Sequence, residues 1–273
     1  MHRWVGGQRA GCGHVHIDLD LALTADAAGE RLTSQGFAVL TPPALAQLCG
    51  HPLADLAALA PFWDDLPPDR YLRDLGRYRS RRHSCAVVHV DTSAARLVPA
   101  PHRPHWQSTA YNALHGGIER SFAPIDPRMT GAAVWHDLLT RLGRCFARVR
   151  RPVDGRWYVE AHPFRIDTSE GVGRPTPEGA HRDGVDFVAV ILVQREAITG
   201  GETRVFEATG PHGVRFALTT PWTALLLDDT RVIHESTPIQ PRSDAVRGTR
   251  DTLVLTYRAG GFQAPPAVGP EAS

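Results

Sequence analysis

Apolar side chains recur along this chain with two different periods, and the change falls near residue 150. Between Thr130 and Arg150, Val134, Leu138, Leu142, Phe146 and Val149 follow one another at steps of 4, 4, 4 and 3. That spacing marks one apolar face of an α-helix, which predicts a helix packed on a sheet. Thr130 is placed to cap it, and Arg141, Arg144, Arg148 and Arg150 load its C-terminal end with the favourable sign. From Trp157 onward the pattern turns to short β-rich runs, at 157–166, 185–194, 202–206, 214–218, 224–227, 231–234 and 252–257. Gly, Pro and Asp turns separate them. Such a series predicts a sandwich or jelly roll.

The first half is more mixed. Thr24 predicts the cap of a helix running to about Gln35, with Asp26 in its first turn and Gly36 as its stop. Phe37–Leu40 reads as a strand, and Pro43 as the opening of a short helix that ends at Gly50. Residues 51–80 mix short helical pieces with Asp- and Arg-rich turns, and 86–90 reads as a strand. Residues 91–129 carry many Pro, Gly and His and read as an ordered connection with little regular structure. The expected fold is mainly β with flanking helices (α+β), in one domain over 1–273. A helical, substrate-covering layer occupies about 1–150, a jelly-roll core about 157–258, and a loose tail 260–273.

Composition narrows the function. The 30 basic residues are all Arg, against 29 acidic ones. Balanced charge argues against a dedicated nucleic-acid or membrane surface. The absence of Lys excludes Schiff-base lysine chemistry and the P-loop lysine. Cys12, Cys49, Cys85 and Cys145 are scattered, without a C-x-x-C pair. Zinc-ribbon and thioredoxin-like readings fail on that spacing, and isolated thiols suit a reducing cytoplasm. The longest apolar run, 187–193, is too short to span a bilayer, and Met1 to Cys12 holds no apolar stretch of signal-peptide length.

Candidate chemistry centres on Pro-Thr-Pro-Glu-Gly-Ala-His-Arg-Asp-Gly, which begins at Pro175. His181 and Asp183 are two apart, so an extended segment points both to one side. His234 follows 53 residues after His181. Two imidazoles and one carboxylate can occupy one face of octahedral Fe(II), leaving the other positions for a bidentate co-substrate and oxygen. By itself H-x-D is equally compatible with a surface turn, since Asp-Gly favours turns. The surrounding order adds to it. An apolar strand follows Asp183, then Gly200-Gly201-Glu202-Thr203-Arg204-Val205-Phe206, then His234, and finally Arg250-Asp251-Thr252.

In this order of motifs the chain resembles the 2-oxoglutarate/Fe(II) dioxygenases, and within them the bacterial free amino-acid hydroxylases such as the isoleucine 4-hydroxylases. The resembling stretch runs from about Gln107 to Arg258. It includes 107–112, Gly116-Gly117-Ile118-Glu119-Arg120 and 162–166. The resemblance implies a double-stranded β-helix with His181, Asp183 and His234 as iron ligands. It implies Arg250 on the distal carboxylate of 2-oxoglutarate, with Thr252 adding a hydroxyl. Family members often carry Arg-x-Ser where this chain has Arg-Asp-Thr. Fe(II), 2-oxoglutarate and O2 are the implied cofactor, co-substrate and oxidant, with ascorbate helpful in the assay. Because Asp183 is present, hydroxylation or desaturation is favoured over halogenation.

Tyr111, Asn112, Arg120, Glu160 and Arg165 are the expected substrate contacts. An amino acid needs an Arg for its carboxylate and an acid or amide for its ammonium. Arg242 and Arg247 compete with Arg250 but sit in a loop. His14, His16, His102 and His105 read as strand-end or loop residues, and His136 as a packing or solvent-facing helix residue. His162 is a possible neighbour of the ligands. Arg77, Arg79, Arg81 and Arg82 read as a solvated face. Two rival functions use the same residues differently: a cupin-like metalloenzyme without 2-oxoglutarate, and a non-catalytic jelly-roll binding module.

Overall fold

The computed structural model describes residues 15–16, 24, 27–74, 76–91, 94–243 and 247–266. Met1 to His14, Asp26 and residues 267–273 lie outside the described residues, as does the side chain of His16. The first half contains β1 (Val15–His16), α1 (Ala27–Gln35), β2 (Phe37–Leu40), α2 (Pro42–Cys49), α3 (Leu53–Ala57), β3 (Arg79–Arg81), β4 (Ser84–Val90) and β5 (Ala95–Pro99). Then come α4 (Pro127–Thr130) and α5 (Ala133–Val149). The second half holds β6 (Arg156–Asp167), β7 (Phe187–Glu196), β8 (Ile198–Gly200), β9 (Glu202–Glu207), β10 (Gly213–Ala217), β11 (Ala224–Asp228), β12 (Val232–Ser236), β13 (Ile239–Pro241) and β14 (Thr249–Arg258).

These strands form an eight-stranded sheet, β2-β11-β7-β14-β6-β4-β5 with β3 beside β6, and a four-stranded sheet, β1-β10-β9-β12. This is the mainly β jelly roll expected from the alternating runs, and the double-stranded β-helix that the resemblance implies. The first half contributes more than a helical layer. Phe37–Leu40 pairs antiparallel with β11, and β3, β4 and β5 extend the large sheet beyond β6. The region 91–129 is likewise more regular than its Pro and Gly content predicts, since β5 lies in it and pairs along β4. No helix of the described residues is long and apolar enough to cross a membrane.

Local chemistry sets the helix ends. Thr41 caps α2 by accepting from the Ala44 N–H, and Gly50 closes it at φ 73°. Thr130 does not cap the long helix. It ends α4, whose cap is Asp126, and α5 begins at Ala133 without a side-chain cap. An intervening Gly131 and Ala132 break what the periodicity alone reads as continuous.

Strand alternation then divides the large sheet into two faces. Along β7, Phe187, Ala189, Ile191 and Val193 face the helices, while Val188 and Leu192 face the small sheet. Along β6, Trp157, Val159 and Ala161 join the helix-side core. Along β14, Leu253, Leu255 and Tyr257 do the same. The intervening residues of β6 and β14 point between the sheets, where the filling is polar rather than apolar. The helix side is held by aromatic packing: Phe146 stacks on Phe187 at 4.7 Å, and Trp157 meets Phe187 edge-on at 5.7 Å. Gly143 lets α5 approach this closely. A Cβ there would lie 2.9 Å from Val88 Cγ1, and its carbonyl accepts the Trp157 indole N–H at 2.9 Å.

Phe187→Ala removes the ring at the centre of this cluster from a fully buried position. The expected loss is about 3–5 kcal/mol, a large part of a typical domain's 5–15 kcal/mol. Urea denaturation of the two proteins measures it, and a loss below about 1 kcal/mol would place the packing elsewhere.

Candidate metal and co-substrate site

The loop before β7 and the strand β12 meet in one antiparallel bridge. The His181 N–H donates to the His234 carbonyl at 3.0 Å, and the His234 N–H donates back at 2.9 Å. Residues paired in this way project their side chains to the same side, and the two ring centroids are 4.6 Å apart. Asp183 completes the group. Its Oδ1 is 3.8 Å from His181 Nε2 and its Oδ2 is 3.7 Å from His234 Nε2. One donor atom from each residue falls within 4.8 Å of the others.

The protonation pattern suits a cation. His181 Nδ1 lies 2.9 Å from the Gly179 carbonyl, which can only accept, so Nδ1 carries a hydrogen and Nε2 is the nitrogen turned to Asp183. Against the effect of burial, the charge of Asp183, with that of Glu178, raises the imidazole's pKa and draws a positive charge to this position. Burial, with His181 alongside, pushes His234 down to about 3, so its imidazole is neutral. Asp183 is positioned from behind by Asp229, which is fully buried. The Asp229 carboxylate accepts the N–H groups of Asp183, Gly184 and Val185 at 2.9, 2.8 and 3.1 Å. Burial and the neighbouring Asp183 hold the Asp229 carboxyl above the usual carboxylate range. Two carboxylates side by side in a buried loop favour a positive charge between the imidazoles. Two imidazole nitrogens and one carboxylate fit a divalent first-row ion such as Fe(II).

The three residues open on a cavity of about 130 Å³ between the sheets. Arg250, Thr252, Val254 and Thr256 of β14 and Glu160, His162, Phe164 and Ile166 of β6 line it. Arg250 is 3% exposed, yet its Nε and Nη2 have no hydrogen-bond partner. Burial and the adjacent Arg195 push its pKa down to about 10, so it stays protonated at neutral pH. The next residue, Asp251, does not neutralise it. Asp251 faces the other side of β14 and receives Arg165 Nε at 2.8 Å and Nη2 at 2.7 Å. A buried guanidinium fork with free donors is a ready binding site for a carboxylate, which accepts from it.

The opposite wall comes from the loop at 105–120. Gly116 and Gly117 let it double back: a Cβ on Gly116 would lie 2.4 Å from the Asn112 carbonyl, and Gly117 has φ 77°. Gln107, Asn112 and Arg120 are thereby brought together. Gln107 Nε2 donates to Asp183 Oδ1 at 3.3 Å, while its Oε1 accepts from Asn112 at 3.1 Å and from Arg120 at 3.5 Å. His83 and His105 each lie 3.2 Å from one oxygen of Glu160. Burial keeps both imidazoles neutral, pushing His105 down to about 4. With His162 these residues form a second convergence of donors. Arg81 donates to His162 Nδ1 at 2.6 Å, which leaves the hydrogen on Nε2 and removes it as a ligand. The cluster is a hydrogen-bonded frame that fixes Glu160.

Of the expected substrate contacts, Asn112, Arg120 and Glu160 line the cavity. Arg165 does not: it shares the face of Trp157, Val159 and Ala161, and it is held by Asp251 and Asp64. Tyr111 is 38% exposed and packs its ring over Gly184 outside the cavity. Arg247 pairs with Asp167, and neither it nor Arg242 reaches the cavity. The basic run is a solvated face only in part: Arg77 is exposed, whereas Arg79 and Arg81 are buried and line the cavity. His105 is no loop bystander either, being buried against Glu160. Gln263, in the segment read as a loose tail, is buried and donates to the Asp183 carbonyl at 2.9 Å.

A model of the 2OG-Fe dioxygenase family matches residues 60–256. The chain belongs to that family. It is 57% identical to a bsmA homolog from Methylobium petroleophilum over 92% of this chain and 99% of that one, with a TM-score of 0.87. It shares its fold with IDO from Bacillus thuringiensis (16% identity, 88% and 97% coverage, TM-score 0.70). The same holds for the Fe(II)/α-ketoglutarate-dependent dioxygenase TqaL (18% identity, 86% and 87% coverage, TM-score 0.66). No functionally curated protein matches. Membership makes the protein a 2-oxoglutarate-dependent dioxygenase, with Fe(II), 2-oxoglutarate and O2 as its implied requirements. It sets aside the cupin-like and non-catalytic readings.

Asp229→Asn replaces an acceptor of three N–H groups by one that clashes with some of them. Binding of Fe(II), or of Mn(II) as its stand-in, is expected to weaken by about 10–100-fold. Metal titration of the two proteins checks this, and equal affinity would mean that the Asp183 loop holds its own shape.

Proposed function

We propose that this dioxygenase hydroxylates an unactivated C–H bond of a free L-amino acid or a close derivative. In this reading His181 Nε2, Asp183 and His234 Nε2 hold Fe(II), and Arg250 with Thr252 holds the distal carboxylate of 2-oxoglutarate. When bound, the iron couples decarboxylation of 2-oxoglutarate, giving succinate and CO2, to insertion of one oxygen atom into the substrate. The chain's own residues bind and orient. Asp183, set by Asp229 and Gln107, occupies the position whose loss would admit a halide, which favours hydroxylation. The β14 face aims Arg250 into the cavity, and its buried fork orients the co-substrate. The buried walls keep water away from the reacting centre.

The observation that carries the substrate reading is Arg120. Its guanidinium is buried, lines the cavity and has an unpartnered Nε. A second buried cation, separate from Arg250, suits a second carboxylate, as an amino acid offers. The free, buried thiols of Cys49, Cys85 and Cys145 support a reducing, cytoplasmic setting for the reaction.

The test is succinate release by Fe(II)-loaded protein with 2-oxoglutarate, O2 and ascorbate across a panel of L-amino acids. Mass spectrometry follows the gain of one oxygen. Stimulation by one amino acid with a matching product supports the reading; slow succinate release that no panel member stimulates removes the amino-acid part. Arg250→Ala is expected to raise the 2-oxoglutarate concentration for half-saturation by about 30-fold or more. Normal saturation in that variant would move the co-substrate site elsewhere.

A further inference from the structure

Two charges of opposite sign face the cavity without touching each other. Glu178 lies three residues before His181, with Oε1 3.5 Å from His181 Nε2. Its Oε2 is buried and accepts no hydrogen bond. Arg120, 2% exposed, reaches only the Gln107 amide oxygen, at 3.5 Å, and its Nε donates to nothing. The negative charge of Glu178 acts on Arg120, yet no ion pair joins them among the described residues. Glu178 otherwise meets only His181, and Arg120 only Gln107. Asp69 is held by Arg79 at 2.8 Å, and Glu160 is occupied by His83 and His105.

A carboxylate oxygen buried without a partner and a buried guanidinium without a carboxylate are each costly. Placed in one cavity and joined by no ion pair, they complement a ligand that carries both charges. We propose that Glu178 selects the free α-ammonium of the substrate while Arg120 receives its α-carboxylate. This rests on the amino-acid reading of the same site and goes further, because it fixes the chemical state of the substrate. An N-acylated amino acid or a peptide residue lacks the ammonium. A carrier thioester lacks the carboxylate. Each would leave one buried charge unmatched, so the substrate class is the free zwitterion.

The experiment is anaerobic calorimetric titration of the Fe(II)–2-oxoglutarate protein with the L-amino-acid panel. For the amino acid bound, its des-amino analogue, with the carboxylate kept, is titrated as well. Wild type is expected to prefer the amino acid by about 30-fold or more. Glu178→Gln should lose most of that preference, weakening the amino acid while leaving the analogue within about threefold. The visible charge-transfer absorption of the Fe(II)–2-oxoglutarate complex should persist in the variant, which also reports that it is folded. Glu178→Asp keeps the charge and should keep a measurable preference. An undiminished preference in Glu178→Gln overturns the proposal and leaves the amino-acid reading intact. Loss of the absorption in Glu178→Gln with its retention in Glu178→Asp assigns Glu178 to the iron and overturns it too. If wild type binds no amino acid, both readings fall together.

Discussion

Two backbone hydrogen bonds, one each way between His181 and His234, set the geometry on which the rest of the site depends. They join the loop that feeds the large sheet to a strand of the small one. They also set two imidazoles side by side, which no side-chain packing could do as narrowly. Asp183 then needs only to be brought within reach, and Asp229 does this by collecting three successive N–H groups of the same loop. The donors are thus fixed by backbone pairing and a buried carboxylate. Such fixing of the donors by the surrounding structure is what a preorganised site requires.

Around this centre the protein gathers several buried or half-buried cationic side chains. Each is handled differently. Arg79 is neutralised by Asp69. Arg81 is sandwiched between the rings of Phe122 and Phe164, at 3.9 and 4.3 Å from their centroids. Arg165 is sequestered on the reverse face by Asp251. Arg250 and Arg120 remain without a carboxylate. Folding has already removed their water, so an anionic ligand meets donors that need no further desolvation. The stability that these unmatched charges cost is invested where ligands bind.

Much of the fold was legible because a strand's period of two leaves a strong mark. All seven strands expected after Trp157 occur within three residues of their expected bounds. His181, Asp183 and His234 were recognisable from their spacing and motif order, and the structure brings them together. What escaped depends on three-dimensional closure. Strand β5 hides among Pro, Ala and Arg, since its pairing with β4, not its composition, makes it a strand. His83 and His105 become meaningful only once a long loop folds back onto Glu160. Arg165 could have been set aside from the sequence alone. It shares the parity of Trp157, Val159 and Ala161, whereas Glu160 and His162 have the other. Glu178 was visible in the motif, but only burial shows that one of its oxygens has no partner.

Gln263 changes what counts as the end of the working structure. Its amide donates to the carbonyls of Asp183 and Gly184, at 2.9 and 3.3 Å. The neighbouring Phe262 lies edge-on to Tyr158 and beneath the Arg103 guanidinium. A chain cut after the last strand, at Arg258, would therefore keep every strand and every ligand yet lose a strut from the metal-facing loop. For anyone trimming this protein or grafting its core onto another, the safe boundary is set by that glutamine and not by the sheet.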